Sequence, residues 1–416
     1  MRPVSTGGIR SVATVSLACL GLATACDSQR DGADWTVSVD TVRGTTRVIN
    51  TPPPTGAQPT VVGEEDLRIG AEAEAGPASF GMIRSIAVLQ DGRIAIGDAQ
   101  AEEARVFDRE GRHVHTFGGQ GAGPGELRGM QGVYLDSDGL LRVPEQQNGR
   151  ISIFDPDSGF VRSYPLRMFS YAFRGPWEAA FDSDGRTLVA SSGPYRGGSW
   201  NMLRIYDAEM TQVDSVPYYD YTDEIQRDDR AGAWVITSGN GRGFIGVPFY
   251  AQRQETLSPA GEFWTSREGT QEVEVARWTP PGDTTLVLYS RRPPIPVSSA
   301  ERDSAMAEAS ARLAGRMAGA PKLDPSKVPA TKPPVYSLSL DDRGRLWVRV
   351  TGPHADPTLY DVFTGDGRYA QTVKLPFTVD DWIPPVVHGD TLWAVTTGDL
   401  DVQYVVRARL RSLKDK

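Results

Sequence analysis

Between residues 80 and 166 the chain contains one pattern of four short strands twice. Each copy has four strand-length apolar or alternating runs separated by turns rich in Asp and Gly, which accept the backbone angles of tight turns. The first turn glycine recurs from Gly92 to Gly139, and the aromatic residue that ends the third strand recurs from Phe107 to Phe154, both after 47 residues. Two independent markers therefore define the same repeat.

A repeat of this length with four short strands is typical of a β-propeller blade, because one small sheet cannot bury both faces until neighbouring sheets stack against it. The turn glycine continues along the chain at intervals of 47, 46, 76, 83 and 45 residues: Gly92, Gly139, Gly185, Gly261, Gly344 and Gly389. The two long intervals exceed one blade by about 30 to 40 residues, so each is predicted to hold one blade and an insertion. The sequence predicts an all-β, six-bladed propeller over residues 35–416 as a single domain, with insertions at 217–253 and 291–334.

The last repeat shows only three clear strands. A strand from the N-terminal part of the chain is expected to complete it, because an unclosed ring exposes a sheet edge. The candidates are Thr46–Asn50, with or without Leu67–Gly70.

The second insertion contains the one convincing helix, over about residues 299–319. Ser298 and Glu301 form a capping-box pattern, and Gly319 followed by Pro321 is a stop signal. An apolar stripe is expected to pack on the propeller or, alternatively, to form a ridge for a partner: Met306, Leu313 and Met317.

Three stretches carry a family resemblance: Asp91-Gly92-Arg93-Ile94, Arg105-Val106-Phe107-Asp108 and the run Gly123-Pro124-Gly125-Glu126-Leu127. These sequence motifs resemble those of NHL-repeat and related six-bladed β-propellers of secreted bacterial proteins, and the resemblance extends over roughly residues 60–410. The resemblance implies a binding module in most cases, and a metal-dependent lyase or lactonase in a minority. Fold alone does not choose between these classes.

The first 26 residues have two arginines and no acid ahead of an apolar run that is too short to span a bilayer, which is typical of an export signal. Ala23-Thr24-Ala25-Cys26 resembles the lipobox of bacterial lipoproteins, which implies acylation of Cys26. Cys19 is the only other cysteine, so Cys26 has no disulfide role. The alternative is cleavage after Ala25, which leaves a soluble protein. Residues 27–34 are polar and are predicted to be a flexible tether.

The formal net charge of the chain is −9. An acidic surface argues against nucleic acid and anionic lipid headgroups as partners. Membrane contact is therefore expected through the lipid anchor only, on the periplasmic or cell-surface side of a bacterial envelope, and the protein is expected to be a monomer.

Both insertions connect the outer strand of one blade to the inner strand of the next, so they are predicted to overhang the same mouth of the central channel. Aromatic and arginine side chains, which carry much of the binding energy at interfaces, are predicted to bind ligand there: Arg84, Arg128, Trp177, Arg196, Trp200, Trp234, Tyr250, Arg349 and Trp382. The ligand classes that suit them are a protein, a peptide, a glycan or a small molecule. The alternative is that the Trp residues fill gaps between blades.

Evidence for catalysis or metal binding is sparse in the sequence. His113 and His115 fall on a predicted outer strand, where solvated histidines are expected, and the other two histidines are His354 and His388. No catalytic residue is assigned and no cofactor is expected, although Ca²⁺ is possible at carboxylates that are otherwise solvated loop ends: Asp98, Glu145, Glu178 and Glu255. The predicted function is a lipid-anchored binding module, with a Ca²⁺- or Zn²⁺-dependent lyase or lactonase-type propeller enzyme as the alternative.

Overall fold

The structure is a computed structural model that describes residues 34–71, 76–166, 179–220, 230–238, 241–317, 321–351, 358–398 and 401–413. The predicted signal peptide, Cys26 and all but the last residue of the predicted tether lie outside these ranges. The regular secondary structure of the described residues is almost entirely β-strand, with one α-helix and one short 3₁₀ helix. Within these ranges, no helix combines the length and apolar character needed to cross a membrane.

Three strands come before the repeats: β1 (Thr36–Val42), β2 (Thr45–Thr51) and β3 (Val61–Ile69). The first three repeats are four-stranded antiparallel sheets in chain order. They comprise β4 (Ile83–Val88), β5 (Ile94–Asp98), β6 (Glu103–Phe107) and β7 (His113–Gly118), then β8 (Tyr134–Leu135), β9 (Leu141–Glu145), β10 (Arg150–Asp155) and β11 (Gly159–Pro165), and then β12 (Ala179–Phe181), β13 (Thr187–Tyr195), β14 (Gly198–Tyr206) and β15 (Gln212–Asp220).

Next comes a separate hairpin of β16 (Ala233–Ser238) and β17 (Gly241–Gly246). The remaining strands again form antiparallel sheets in chain order, and we call the strands of each repeat a set. The fourth set is β18 (Glu255–Leu257), β19 (Phe263–Ser266), β20 (Val273–Thr279) and β21 (Asp283–Ser290). Helix α1 (Ser299–Arg316) and a short 3₁₀ turn (Pro325–Lys327) follow. The fifth set is β22 (Val335–Leu340), β23 (Leu346–Val350), β24 (Leu359–Phe363) and β25 (Tyr369–Lys374), and the last three strands are β26 (Val386–His388), β27 (Thr391–Thr397) and β28 (Gln403–Ser412).

Strand β3 completes the last set. It pairs antiparallel with β28 from Val61 opposite Ser412 to Ile69 opposite Val405. The prediction that Thr46–Asn50 supplies this strand is wrong, whereas Leu67 and Ile69 of the second candidate lie in β3. Residues 46–50 belong to β2, which instead pairs in parallel with β21 and extends the fourth set. Val48 explains this position, because it is fully buried in the same apolar cluster as residues of β21.

Apolar clusters join neighbouring sets face to face. In chain order, these clusters contain Val106 with Leu141, Ile151 with Tyr206, Leu203 with Phe263, Leu288 with Phe363, and Tyr360 with Val406. A further cluster contains Phe107 and Trp393, so the last set also packs on the first. The strand sets thus have a propeller-like arrangement in which each sheet buries both faces, at about 1.5 to 3 kcal/mol per large apolar side chain.

The two insertions pack on each other. Trp234 and Ile245 of the β16–β17 hairpin share a buried cluster with Ala309 and Leu313 of α1. The capping box of Ser298 and Glu301 is present as predicted. The apolar stripe of the helix was expected on the propeller, but the structure places Met306 and Leu313 against the hairpin, because the hairpin presents an apolar face of its own.

Candidate functional site

A central channel of about 580 Å³ is lined by the first strand of every set, together with the turns that follow those strands. Such a volume lies in the range of about 300 to 1,000 Å³ that is usual for small-molecule pockets. The lining comes from β4, β8, β12, β18, β22 and β26, together with the segment that enters β26. The site is thus built by the repeat itself, since each first strand runs along the channel.

One apolar residue from each set lines the channel at an equivalent register. Each of these six residues lies opposite a residue at or next to the start of the second strand of its own set: Val88, Leu135, Phe181, Leu257, Leu340 and Val387. The first five are half-buried and Val387 is buried. We call these six residues the collar. An apolar collar favours an apolar ligand group, because it removes that group from water.

Arg84 also lines the channel, four residues before Val88 on β4. It is the extra residue of a β-bulge, since Ile83 pairs with Asp98 and Ser85 pairs with Gly97. Bulges re-aim side chains and are frequent beside functional sites. The Arg84 Nε is shielded from solvent and has no hydrogen-bond partner. A guanidinium has five N–H donors and no acceptor, and no described residue accepts a hydrogen bond from the Arg84 Nη groups, so these can donate to an oxygen-rich group in the channel.

At one end of the channel lie the turns that follow the first strands, and we call this the turn end. Two of the carboxylates there already accept hydrogen bonds from neighbouring residues. The Arg142 Nε donates to the Asp136 Oδ2 at 2.7 Å, and the Arg345 Nε donates to the Asp341 Oδ2 at 2.7 Å. Both carboxylates also accept backbone N–H groups of their own turns, which explains the recurrent Asp-x-x-Gly pattern.

One titratable pair lines the same end of the channel. The His388 Nδ1 lies 3.4 Å from the Asp342 Oδ2, and that carboxylate also accepts the Gly389 N–H at 3.0 Å. The carboxylate can orient the imidazole, and an imidazole so oriented can exchange a proton or hold a metal.

The structure does not gather the nine predicted ligand-binding residues into one site. Arg84 lies in the channel, Trp177 is outside the described residues, and Arg128 is exposed with its backbone N–H on the Glu145 carboxylate at 3.2 Å. Trp234 is 5% exposed and donates its indole N–H to the Asp324 carbonyl, so its ring packs inside the insertions. Tyr250 packs against the same cluster, and burial raises the pKa of its hydroxyl.

The other four predicted residues form two separate groups. Arg196 lies 5.1 Å above the Tyr195 ring, which meets Trp200 edge-on at 5.8 Å. Arg349 is 4% exposed, and its Nη1 donates to the Asp381 Oδ1 at 2.7 Å beside the exposed Trp382. Neither group reaches the cavity lining.

Two of the predicted carboxylates already have several protein partners. Asp98 accepts the backbone N–H groups of Gly81, Met82, Gln100 and Ala101, while Glu145 accepts Arg150, Ser152 and Asn148. Glu255 pairs with Arg253, and Glu178 lies outside the described residues. His113 and His115 are exposed on β7. Within the described ranges, no group of three or more His, Cys, Asp or Glu residues is arranged to hold a metal ion.

Sequence reasoning missed the collar and the His388–Asp342 pair. The collar did leave a signal, because five of its members lie four residues before a turn glycine: Val88, Leu135, Phe181, Leu257 and Leu340. The histidine pair left none, since it joins the turns of two different repeats.

No family model matches the chain. The RING finger protein nhl-1 of Caenorhabditis elegans is 35% identical over 68 residues, which cover 16% of this chain and 7% of that relative. The chain therefore spans only a small part of the curated relative that it matches.

The chain is similar in structure to the following three solved proteins. A streptogramin B lyase structure is 12% identical, with a TM-score of 0.41, over 83% of this chain and 97% of its own. A gluconolactonase of Xanthomonas campestris is 12% identical, with a TM-score of 0.39, over 85% and 98%. A luciferin-regenerating enzyme is 11% identical, with a TM-score of 0.40, over 85% and 95%. The first two belong to β-propeller families.

Proposed function

We propose that this protein is a six-bladed β-propeller that binds a small molecule in its central channel. The eight-stranded sheet is counted as two blades, because its two halves are joined only by two parallel residue pairs between β25 and β3. With this division the number of blades is six. The six-stranded sheet then counts as one blade extended by the β1–β2 hairpin.

The observation that carries the binding proposal is the channel itself, a cavity of about 580 Å³ to which every strand set contributes an apolar collar residue. Apolar walls with a few convergent polar groups are the usual makeup of a ligand pocket. The proposed site is therefore the channel itself and not the mouth that the two insertions were predicted to overhang. The insertions bury their own aromatic residue Trp234 in a separate core.

We also propose that the protein is exported and held at the bacterial envelope by acylation of Cys26. The lipobox-like sequence at residues 23–26 supports this proposal, as does the absence of any cysteine beyond residue 26.

The binding proposal can be tested with Nile red, a neutral dye whose fluorescence rises in apolar surroundings. Wild-type protein is expected to bind the dye, and Leu257→Trp is expected to lose binding because the larger ring enters the channel. Val213→Trp is the matched control, since Val213 is 56% exposed on the outer strand β15. No binding by folded wild-type protein, or equal binding by Leu257→Trp with its fold intact, contradicts the proposal.

A second candidate function is a lyase or lactonase-type enzyme that uses a metal ion in the same channel. The observation that favours it is the His388–Asp342 pair, because imidazole and carboxylate are both metal ligands and proton carriers. Acid release from aliphatic lactones, followed by pH-stat with added Ca²⁺ or Zn²⁺, tests this candidate. Turnover that His388→Gln abolishes while Nile red still binds supports the enzyme, and no turnover with any metal contradicts it.

A further inference from the structure

We infer that the channel ligand is an amphipathic monocarboxylic acid, whose carboxylate binds Arg84 and whose apolar part lies in the collar. This inference rests on the proposed function and specifies its substrate class. It follows from three features of the channel: an unused guanidinium donor, the charge balance of the lining, and the distance from Arg84 to the collar.

The first feature is the state of Arg84. Its Nε is buried without a hydrogen-bond partner, and the side chain has no ion pair among the residues that the structure describes. The guanidinium therefore keeps its Nη donors for a ligand, and a ligand that supplies acceptor oxygens to a charged donor gains most. A carboxylate fits a guanidinium with two parallel N–H···O bonds, which no alcohol or amide can match.

The second feature is charge. Asp136 and Asp341 are each paired with an arginine at 2.7 Å, and Asp342 faces His388. The two arginines compensate Asp136 and Asp341, whereas His388 compensates Asp342 only when its imidazole is protonated. Arg84 is the arginine of the lining, and it has no counterion among the residues that the structure describes. One uncompensated positive charge suits a monoanion, whereas a dianionic phosphate ester would leave one negative charge in an apolar cavity that also contains carboxylates.

The third feature is the distance between anchor and collar. Arg84 and Val88 lie four residues apart on one strand, so their backbone positions are about 13 Å apart along the channel. A ligand that contacts both needs an elongated apolar body attached to its carboxylate. A medium-chain acid such as octanoate or decanoate has this shape.

The test compares three ligands with one tail and different heads: decanoate, decanol and decyl phosphate. Each ligand displaces Nile red from wild-type protein, from Arg84→Gln and from Arg128→Gln. Arg128 is the matched control, because it is an exposed arginine outside the cavity lining. Wild-type protein and Arg128→Gln are expected to bind decanoate about 10- to 100-fold more tightly than decanol, since a charged hydrogen bond is worth that much in affinity.

In Arg84→Gln this preference for decanoate over decanol is expected to disappear, while decanol binding stays within about threefold of wild type because the collar is unchanged. Arg84→Lys keeps the charge without the paired geometry, so an intermediate preference is expected. Retention of the full preference by Arg84→Gln overturns the inference. Tighter binding of decyl phosphate than of decanoate overturns the choice of a monocarboxylate.

Failure of the inference differs from failure of the proposed function. If Leu257→Trp still abolishes Nile red binding but decanoate and decanol bind alike, the channel binds a ligand of another class. If Leu257→Trp changes nothing, the channel is not the site at all. Thermal unfolding of each variant shows whether the protein is folded, and Arg84→Lys provides a milder substitution if Arg84→Gln does not fold.

Discussion

Replacement of Arg292 by methionine tests a buried ion pair that ties the start of the second insertion to β24. The Asp361 carboxylate has no solvent exposure, and the Arg292 Nε and Nη2 each donate to one of its oxygens at 2.5 Å. The Thr372 hydroxyl donates to the same carboxylate at 2.7 Å. Trp35 covers the pair, with its ring 5.6 Å from the guanidinium and stacked on Tyr369 at 4.0 Å.

Removal of one partner leaves an uncompensated buried charge, which lowers the free energy of unfolding by about 3 to 5 kcal/mol. For a chain of 416 residues, that loss corresponds to a fall in Tm of roughly 3 to 6 °C. Replacement of both partners, as in Arg292→Met with Asp361→Leu, removes the charge as well. The double variant is therefore expected to recover most of the lost stability.

The assay is urea denaturation and thermal unfolding of both variants beside Arg291→Met. Arg291 is the matched control, because its Nη1 bonds the Glu272 carboxylate at 2.5 Å while both side chains are over 40% exposed. Such surface pairs contribute about 0 to 1 kcal/mol. The reasoning is refuted if Arg292→Met loses no more stability than Arg291→Met, or if the double variant is less stable than Arg292→Met.

Three further predictions concern the capping box, the closing strand and the anchor. A hydrogen bond from Lys332, with the Ser298 cap, lowers the pKa of Glu301 from 4.5 to about 2. Because a lowered pKa contributes stability that is lost on acidification, the Tm advantage of wild type over Glu301→Gln is expected to shrink as pH falls from 4.5 towards 2; a constant advantage contradicts this. A chain that begins at Gly76 lacks β3 and is expected to unfold at lower temperature and less cooperatively than one that begins at Asp27; equal unfolding by calorimetry argues against strand closure. Mass spectrometry of protein from native membranes is expected to find lipid on Cys26, and an unmodified cysteine there rules the anchor out.

The repeat was predictable from sequence because its markers are local. Strands β4 and β22 lie at Ile83–Val88 and Val335–Leu340, as their alternating apolar residues and following turn glycines predict. The closing strand was harder to predict, because two N-terminal segments had suitable alternation. Only the environment of Val48, buried against β21, decides which segment pairs with which sheet.

The candidate site was predictable only in part. Arg84 was selected as an arginine near the channel, and it lines the cavity. Trp234 was selected on the same grounds and is buried among residues of the insertions. An aromatic residue that fills a core and one that binds a ligand have the same composition signal, and only the contacts distinguish them. The collar consists of ordinary strand residues, so it becomes visible only when the repeats are aligned by register.

The pairing of β3 with β28 has a consequence for the order of folding. Arg407 of β28 donates to the Asp66 carboxylate of β3, although the two residues are 341 positions apart in the chain. Contacts of such long sequence separation form late and slowly, because the entropy of closing the loop is lost before the contact stabilises anything. Strand β3 forms most of its residue pairs with β28 and only two with β25. Until β28 has folded, those pairs are missing and the first and last strand sets are not joined. We therefore expect closure to be the slow step, preceded by an intermediate with formed blades and an exposed apolar seam around Trp393, which an apolar dye would detect during refolding.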